Sequence, residues 1–148
     1  MKKEVLISID TIQTDIEGDY DTITLVTEGT FVERGEKQYI TYQESELTGF
    51  AGYSTTLKVE KDQLTMVRFG PSNTQFVFAP NKSTSGIYHT PYGNFEVHVM
   101  TKELQISLQD GQGKIDIDYM LSFGGNPTSK YQFHMKITEK KRGGYRHG

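Results

Sequence analysis

Apolar residues recur at every second position along almost the whole chain, and a helical repeat is nearly absent. Period two is the pattern of strands with one face in a core and the other in water. Val5, Ile7 and Ile9 alternate with Ser8 and Asp10. Leu64, Met66 and Arg68 share one face of a later run, opposite Thr65, Val67 and Phe69. Phe95, Val97 and Val99 stand against Glu96, His98 and Met100, and Ile115, Ile117, Tyr119 and Leu121 against Asp116, Asp118 and Ser122. Tyr131, Phe133, Met135 and Ile137 keep the same rhythm.

The breaks in the pattern are turn-forming. Strands are expected over Lys3–Gln13, Thr22–Glu33, Lys37–Glu44, Ser54–Glu60, Gln63–Phe69, Gln75–Ala79, Ser83–Thr90, Asn94–Thr101, Glu103–Gln109, Lys114–Phe123 and Ser129–Thr138. Between them lie Lys61-Asp62, Gly70-Pro71-Ser72-Asn73, Pro80-Asn81-Lys82, Thr90-Pro91-Tyr92-Gly93, Asp110-Gly111-Gln112-Gly113 and Gly124–Thr128, each a turn by composition. Gly29, inside a long strand, predicts a bend or bulge. Glu44–Tyr53 lacks alternation and reads as a loop.

About ten short strands joined by hairpin turns predict an all-β, antiparallel barrel or sandwich. Closure into a barrel of about 8–10 strands is favoured, because an open sheet of that width leaves exposed edges. The 148 residues make one domain over 1–148, with 139–148 as a basic, glycine-rich tail expected to be disordered. The absence of cysteine excludes disulfides and thiolate chemistry and fits a cytoplasmic protein. The net charge of −3 argues against a general nucleic-acid binder. Ser8 and Asp10 interrupt the first apolar run, so no signal peptide is expected, and no run is long enough for a membrane helix.

The runs Arg68–Pro71 (RFGP), Ser85–Gly93 (SGIYHTPYG), Gly113–Leu121 (GKIDIDYML) and Tyr39–Glu44 (YITYQE) resemble the YwiB-like family of Gram-positive bacteria, a family of unknown function. The resemblance covers nearly the whole chain. It implies a calycin-type barrel, similar in architecture to lipocalins, and supplies no catalytic residues. Such a fold is a prior for a ligand in the interior and nothing firmer.

Arg68 is the residue of most interest, since its phase with Leu64 and Met66 turns a guanidinium inward. It is either an anion clamp at the barrel mouth or one half of a structural ion pair with Glu44 or Glu46. Whether Arg68 faces a cavity or a carboxylate separates the two. Tyr42, Tyr88, Tyr92 and Tyr119 either line a cavity with their hydroxyls towards a ligand or pack the core and rim. With Arg68 and Glu44 they form the candidate ligand-binding set.

His89, His98, His134 and His147 show no ligand spacing, so no metal is expected. Asp116 and Asp118 share what reads as a solvated face. Ser83, Ser85 and His89 make no triad, and no cofactor motif is present. Lys140-Lys141-Arg142 and Arg146 form a local positive patch.

The first expectation is therefore a barrel holding a small hydrophobic or anionic ligand in a cavity of a few hundred Å³. The second is a filled barrel acting as a non-catalytic interaction or structural module, with a homodimer as one form of it. Catalysis is the weakest reading, since no nucleophile, base and oxyanion donor assemble from the sequence.

Overall fold

Why each strand has the faces it has follows from register. The computed structural model describes residues 1–148 apart from 49, 91, 124–125 and 141–148, and apart from the side chains of 88–90 and 126–128. Pro91 of the expected turn, the tail from 141 onward and the side chains of Tyr88 and His89 thus lie outside the described residues, as does His147.

The strands are β1 (Lys2–Asp15), β2 (Tyr20–Arg34), β3 (Lys37–Gln43), β4 (Ser54–Val59), β5 (Leu64–Phe69), β6 (Thr74–Phe78), β7 (Ser83–Thr90), β8 (Gly93–Gln109), β9 (Gln112–Phe123) and β10 (Asn126–Glu139). They form a ten-stranded antiparallel sheet in the order β6-β5-β4-β3-β2-β1-β10-β9-β8-β7. Chain neighbours are sheet neighbours, and the two ends of the chain meet where β1 pairs with β10 from Val5–Glu139 to Asp15–Ser129. The sheet curls into a nearly closed barrel.

Its seam lies between β6 and β7. There Thr84 Oγ1 donates to the Val77 carbonyl at 2.7 Å. A Cβ on Gly86 would sit 2.8 Å from the Gln75 carbonyl, so only glycine lets β7 approach β6 this closely. The turn before β7 is tied to buried Thr101. The Ala79 N–H donates to its hydroxyl at 3.2 Å, the Asn81 N–H to its carbonyl at 3.0 Å, and its own N–H to the Lys82 carbonyl at 3.2 Å.

Three expectations change. The runs Asn94–Thr101 and Glu103–Gln109 are one strand, β8, interrupted by a bulge: Thr101 pairs with Tyr119 and Glu103 with Asp118, leaving Lys102 as an extra residue. The extra residue reverses the parity, so Val97 and Val99 point inward before it and Leu104, Ile106 and Leu108 after it. Gly29, by contrast, holds register with Val5 on one side and Tyr42 on the other. It is there for space: a Cβ would lie 2.5 Å from the Thr41 carbonyl and 2.6 Å from Ile7 Cδ1. Glu139, expected in the tail, ends β10, and the Lys140 N–H donates to the Glu4 carbonyl at 2.9 Å.

The β8–β9 connection is a two-residue hairpin. Asp110 and Gly111 have φ of 54° and 79°, as a type I′ turn requires, and they match the twist of the strands they join.

The interior is filled unevenly. Phe31, Ile40, Leu57, Leu64, Phe78, Ile115, Met135 and Ile137 are fully buried and pack one part of it solid. The remainder is open, and Arg68 is in it.

Deleting Lys102 would force Leu104, Ile106 and Leu108 out of phase with the core. At roughly 1 kcal/mol for each half-buried aliphatic side chain turned outward, the expected loss is about 3 kcal/mol. Lys102→Ala, which keeps the residue count, should change stability by less than about 0.5 kcal/mol. Urea unfolding of the two variants checks this.

Candidate functional site

One row of inward side chains crosses four strands. Tyr42 on β3 pairs with Thr55 on β4, Thr55 with Arg68 on β5, and Arg68 with Thr74 on β6. Tyr42, Thr55 and Thr74 are buried. The row therefore sets a guanidinium among hydroxyls on the inner wall. Glu44 lies two residues beyond Tyr42 on the same side, just past the end of β3, where its N–H donates to the Tyr53 carbonyl at 2.9 Å.

Arg68 Nη2 is 3.6 Å from Glu44 Oε2, with side chains 15% and 3% exposed respectively. Thr55 Oγ1 donates a short hydrogen bond to the same carboxylate oxygen. Arg68 also stacks on Phe50, its guanidinium carbon 3.9 Å from the ring centroid, a cation–π contact. Its Nε is buried with no hydrogen-bond partner among the described residues.

Phe50 reaches this position through the Glu44–Tyr53 loop, which contains one 3₁₀ turn, Glu46–Thr48. Ser45 starts that turn: its hydroxyl accepts from the Leu47 N–H at 3.1 Å and its carbonyl accepts the Thr48 hydroxyl at 2.9 Å. Tyr53 anchors the far end. Its ring lies over Gly70, where a Cβ would come within 2.5 Å, and its hydroxyl is 3.1 Å from Ser72 Oγ. Phe50 packs edge-on to Tyr53 at 5.6 Å. In the RFGP run, then, the arginine faces inward and the glycine makes room for the tyrosine that holds the loop over it.

Around Arg68 the barrel interior opens into a cavity of about 280 Å³. Its apolar wall comes from Ile9, Ile23, Leu25, Met66, Phe76, Leu121 and Phe133, and its polar groups from Thr11, Gln13, Tyr42, Glu44, Thr48, Arg68, Tyr119 and Tyr131. Tyr119 stacks on Tyr131 at 5.0 Å with an interplanar angle of 8°, and is backed by Phe78 at 4.6 Å.

Burial pushes the Tyr42 phenol well above its ordinary value of 10.0. Glu44 raises it further, while Arg68 and a hydrogen bond with Thr55 oppose the rise. Burial likewise pushes the Tyr119 phenol up, with Tyr131 adding to the shift and Arg68 opposing it. Both hydroxyls stay protonated at any ordinary pH.

Four of the six candidate residues, Tyr42, Glu44, Arg68 and Tyr119, are thus brought together on one cavity wall. Arg68 meets both halves of its test, facing a cavity and a carboxylate at once, and the carboxylate is Glu44 rather than Glu46. Tyr92 is a correction. It sits at the β7–β8 turn, 93% exposed, and takes no part in the cavity wall, because turn aromatics follow the loop path and not the strand alternation. The Tyr88 side chain lies outside the described residues; its backbone pairs with Phe95 in β7–β8. Thr48 and Phe50 were missed, since a loop without periodicity gives no inward face to read.

The remaining histidines stand apart from the cavity. His134 Nδ1 is 2.7 Å from Asp116 Oδ1 on an exposed face. His98 lies 3.3 Å from Ser85 Oγ and 3.6 Å from Glu96. Among the described residues no group of three or more His, Cys, Asp or Glu is placed to hold a metal, and no helix is long and apolar enough to cross a membrane.

Alkaline titration tests the tyrosines. With folded-state values above the unfolded 10.0, the neutral phenols stabilise the fold fully below about pH 10, and that contribution declines as pH rises further. Urea midpoints measured from about pH 9 to pH 11 should fall steeply, and Tyr42→Phe should flatten the fall.

Three likenesses bear on this geometry. The model of a family described as "Domain of unknown function (DUF1934)" matches residues 7–135. The "Uncharacterized beta-barrel protein YwiB" of Bacillus subtilis (strain 168) is 28% identical over 140 residues, spanning 93% of this chain and 95% of the relative. The crystal structure of the ywiB protein from Bacillus subtilis superposes with a TM-score of 0.83 at 21% identity, over 95% of this chain and 94% of that one, a likeness of fold.

Proposed function

The chain belongs to the DUF1934 family, and we propose that it is a non-catalytic binding protein that takes a small, partly apolar molecule into the open part of its barrel, in the manner of a calycin. The supporting observation is the cavity of about 280 Å³ in which a buried arginine Nε, without a partner, stands on an otherwise largely apolar wall. That volume lies at the small end of ligand sites, which are mostly apolar with a few converging polar groups. Ile9, Leu25, Met66, Phe76, Leu121 and Phe133 would cover the apolar part of the ligand, and Arg68 and the tyrosine hydroxyls would orient its head. Binding is favoured over catalysis because the described lining includes no serine, cysteine or histidine, and its one carboxylate is already engaged by Arg68 and Thr55.

Native mass spectrometry of the freshly purified chain tests this. A small-molecule adduct is expected on the wild type and should disappear in Leu121→Trp, which fills the cavity. A bare chain mass under gentle conditions would contradict the proposal. If that bare mass were a dimer's, a homodimeric interaction module would replace it.

A further inference from the structure

We infer that the head group accepted at this site is neutral and both donates and accepts hydrogen bonds, as a primary amide does, and that Glu44 makes the cavity reject carboxylates. This rests on the binding role proposed above and specifies its ligand class.

Charge is the first consideration. Apart from tyrosine hydroxyls, the ionisable groups on the described cavity wall are Arg68 and Glu44, one cation and one anion by formal charge. Arg68 is not a spare cation awaiting an anion. A carboxylate placed beside it would add an unmatched negative charge to a space where Glu44 is already only 3% exposed. Burying an unmatched charge is costly, and so is the alternative of displacing Glu44 from its cation, which strands a second carboxylate away from water.

The tyrosines on the wall are held neutral chiefly by burial. Burial is the largest cause that opposes ionisation of Tyr42 and Tyr119; Glu44 adds to it at Tyr42 and Tyr131 at Tyr119, while Arg68 counters it at both.

Hydrogen bonding gives the positive half of the inference. The Arg68 Nε–H is buried and lacks an acceptor among the described residues. The protonated Tyr119 phenol on the same wall adds a donor, while the Glu44 carboxylate has capacity to accept beyond its bond from Thr55. A primary amide answers both demands: its oxygen accepts from the guanidinium, and its N–H donates to Glu44. A carboxylate answers only the first and meets Glu44 as a like charge. Apolar contact from the surrounding wall suits a short hydrocarbon chain behind the head.

Octanamide and octanoate share a hydrocarbon chain and differ in the head alone. Isothermal titration at neutral pH would measure both against the wild type and Glu44→Gln. The Gln side chain still accepts from Thr55 but leaves the guanidinium charge unmatched. The wild type should bind octanamide about tenfold more tightly than octanoate, and the order should reverse in Glu44→Gln. Octanoate binding the wild type as tightly as octanamide, or tighter, overturns the inference while leaving the binding role standing. An unchanged order in a folded Glu44→Gln overturns it too. Failure of both probes on both proteins removes the binding role and this inference together. If Glu44→Gln does not fold, the order on the wild type decides alone.

Discussion

The ion pair between Arg68 and Glu44 is the constraint to which the open part of the barrel conforms. A guanidinium on the inner wall cannot be surrounded by hydrocarbon alone, so the strands on either side carry Thr55 and Thr74 at the paired positions, with Tyr42 next in the row beyond Thr55. Its counter-charge comes from a residue just past β3, and its flat face is covered by Phe50 from the loop that follows. Each of these choices removes apolar volume from the interior. Where the row of polar groups crosses the barrel the packing opens into a cavity; away from it, Phe31, Leu64, Phe78 and Ile115 fill the space completely.

The scaffold supports this division by local devices. Gly29 and Gly70 leave room for the side chains of their neighbours, Ile7 and Tyr42 at the first and Tyr53 at the second. The bulge at Lys102 changes which face of β8 is inward and sits next to Thr101, which holds the turn at the barrel seam. Each is a one-residue feature with consequences on the opposite side of the wall. The family as a whole has no established function, and the close likeness in fold to the ywiB structure extends the architecture, not the chemistry, to this chain.

Much of this was legible in the sequence, for a physical reason. Period two survives in β1, β9 and β10 because one face of each strand is buried and the other wet, and that asymmetry is written residue by residue. The same phase turned Arg68 inward beside Leu64 and Met66, and Glu44 was one of two partners proposed for it. What stayed hidden depends on contacts distant in sequence. Lys102 breaks the alternation just as a strand end would, so one strand read as two. Gly29 resembled a bulge because a glycine demanded by a neighbour's bulk looks the same as one demanded by backbone geometry. Phe50 and Tyr92 are both aromatics in irregular segments, one turned in and the other out, and nothing local distinguishes them.

A double-mutant cycle on Arg68→Met and Glu44→Gln, read by urea unfolding, bears most directly on the claim that this pair organises the cavity. A coupling of about 1–3 kcal/mol between the two positions is the predicted result, as for side chains that share one buried network. Losses that simply add would mean that the guanidinium and the carboxylate lie close without depending on one another, and the cavity would need another explanation.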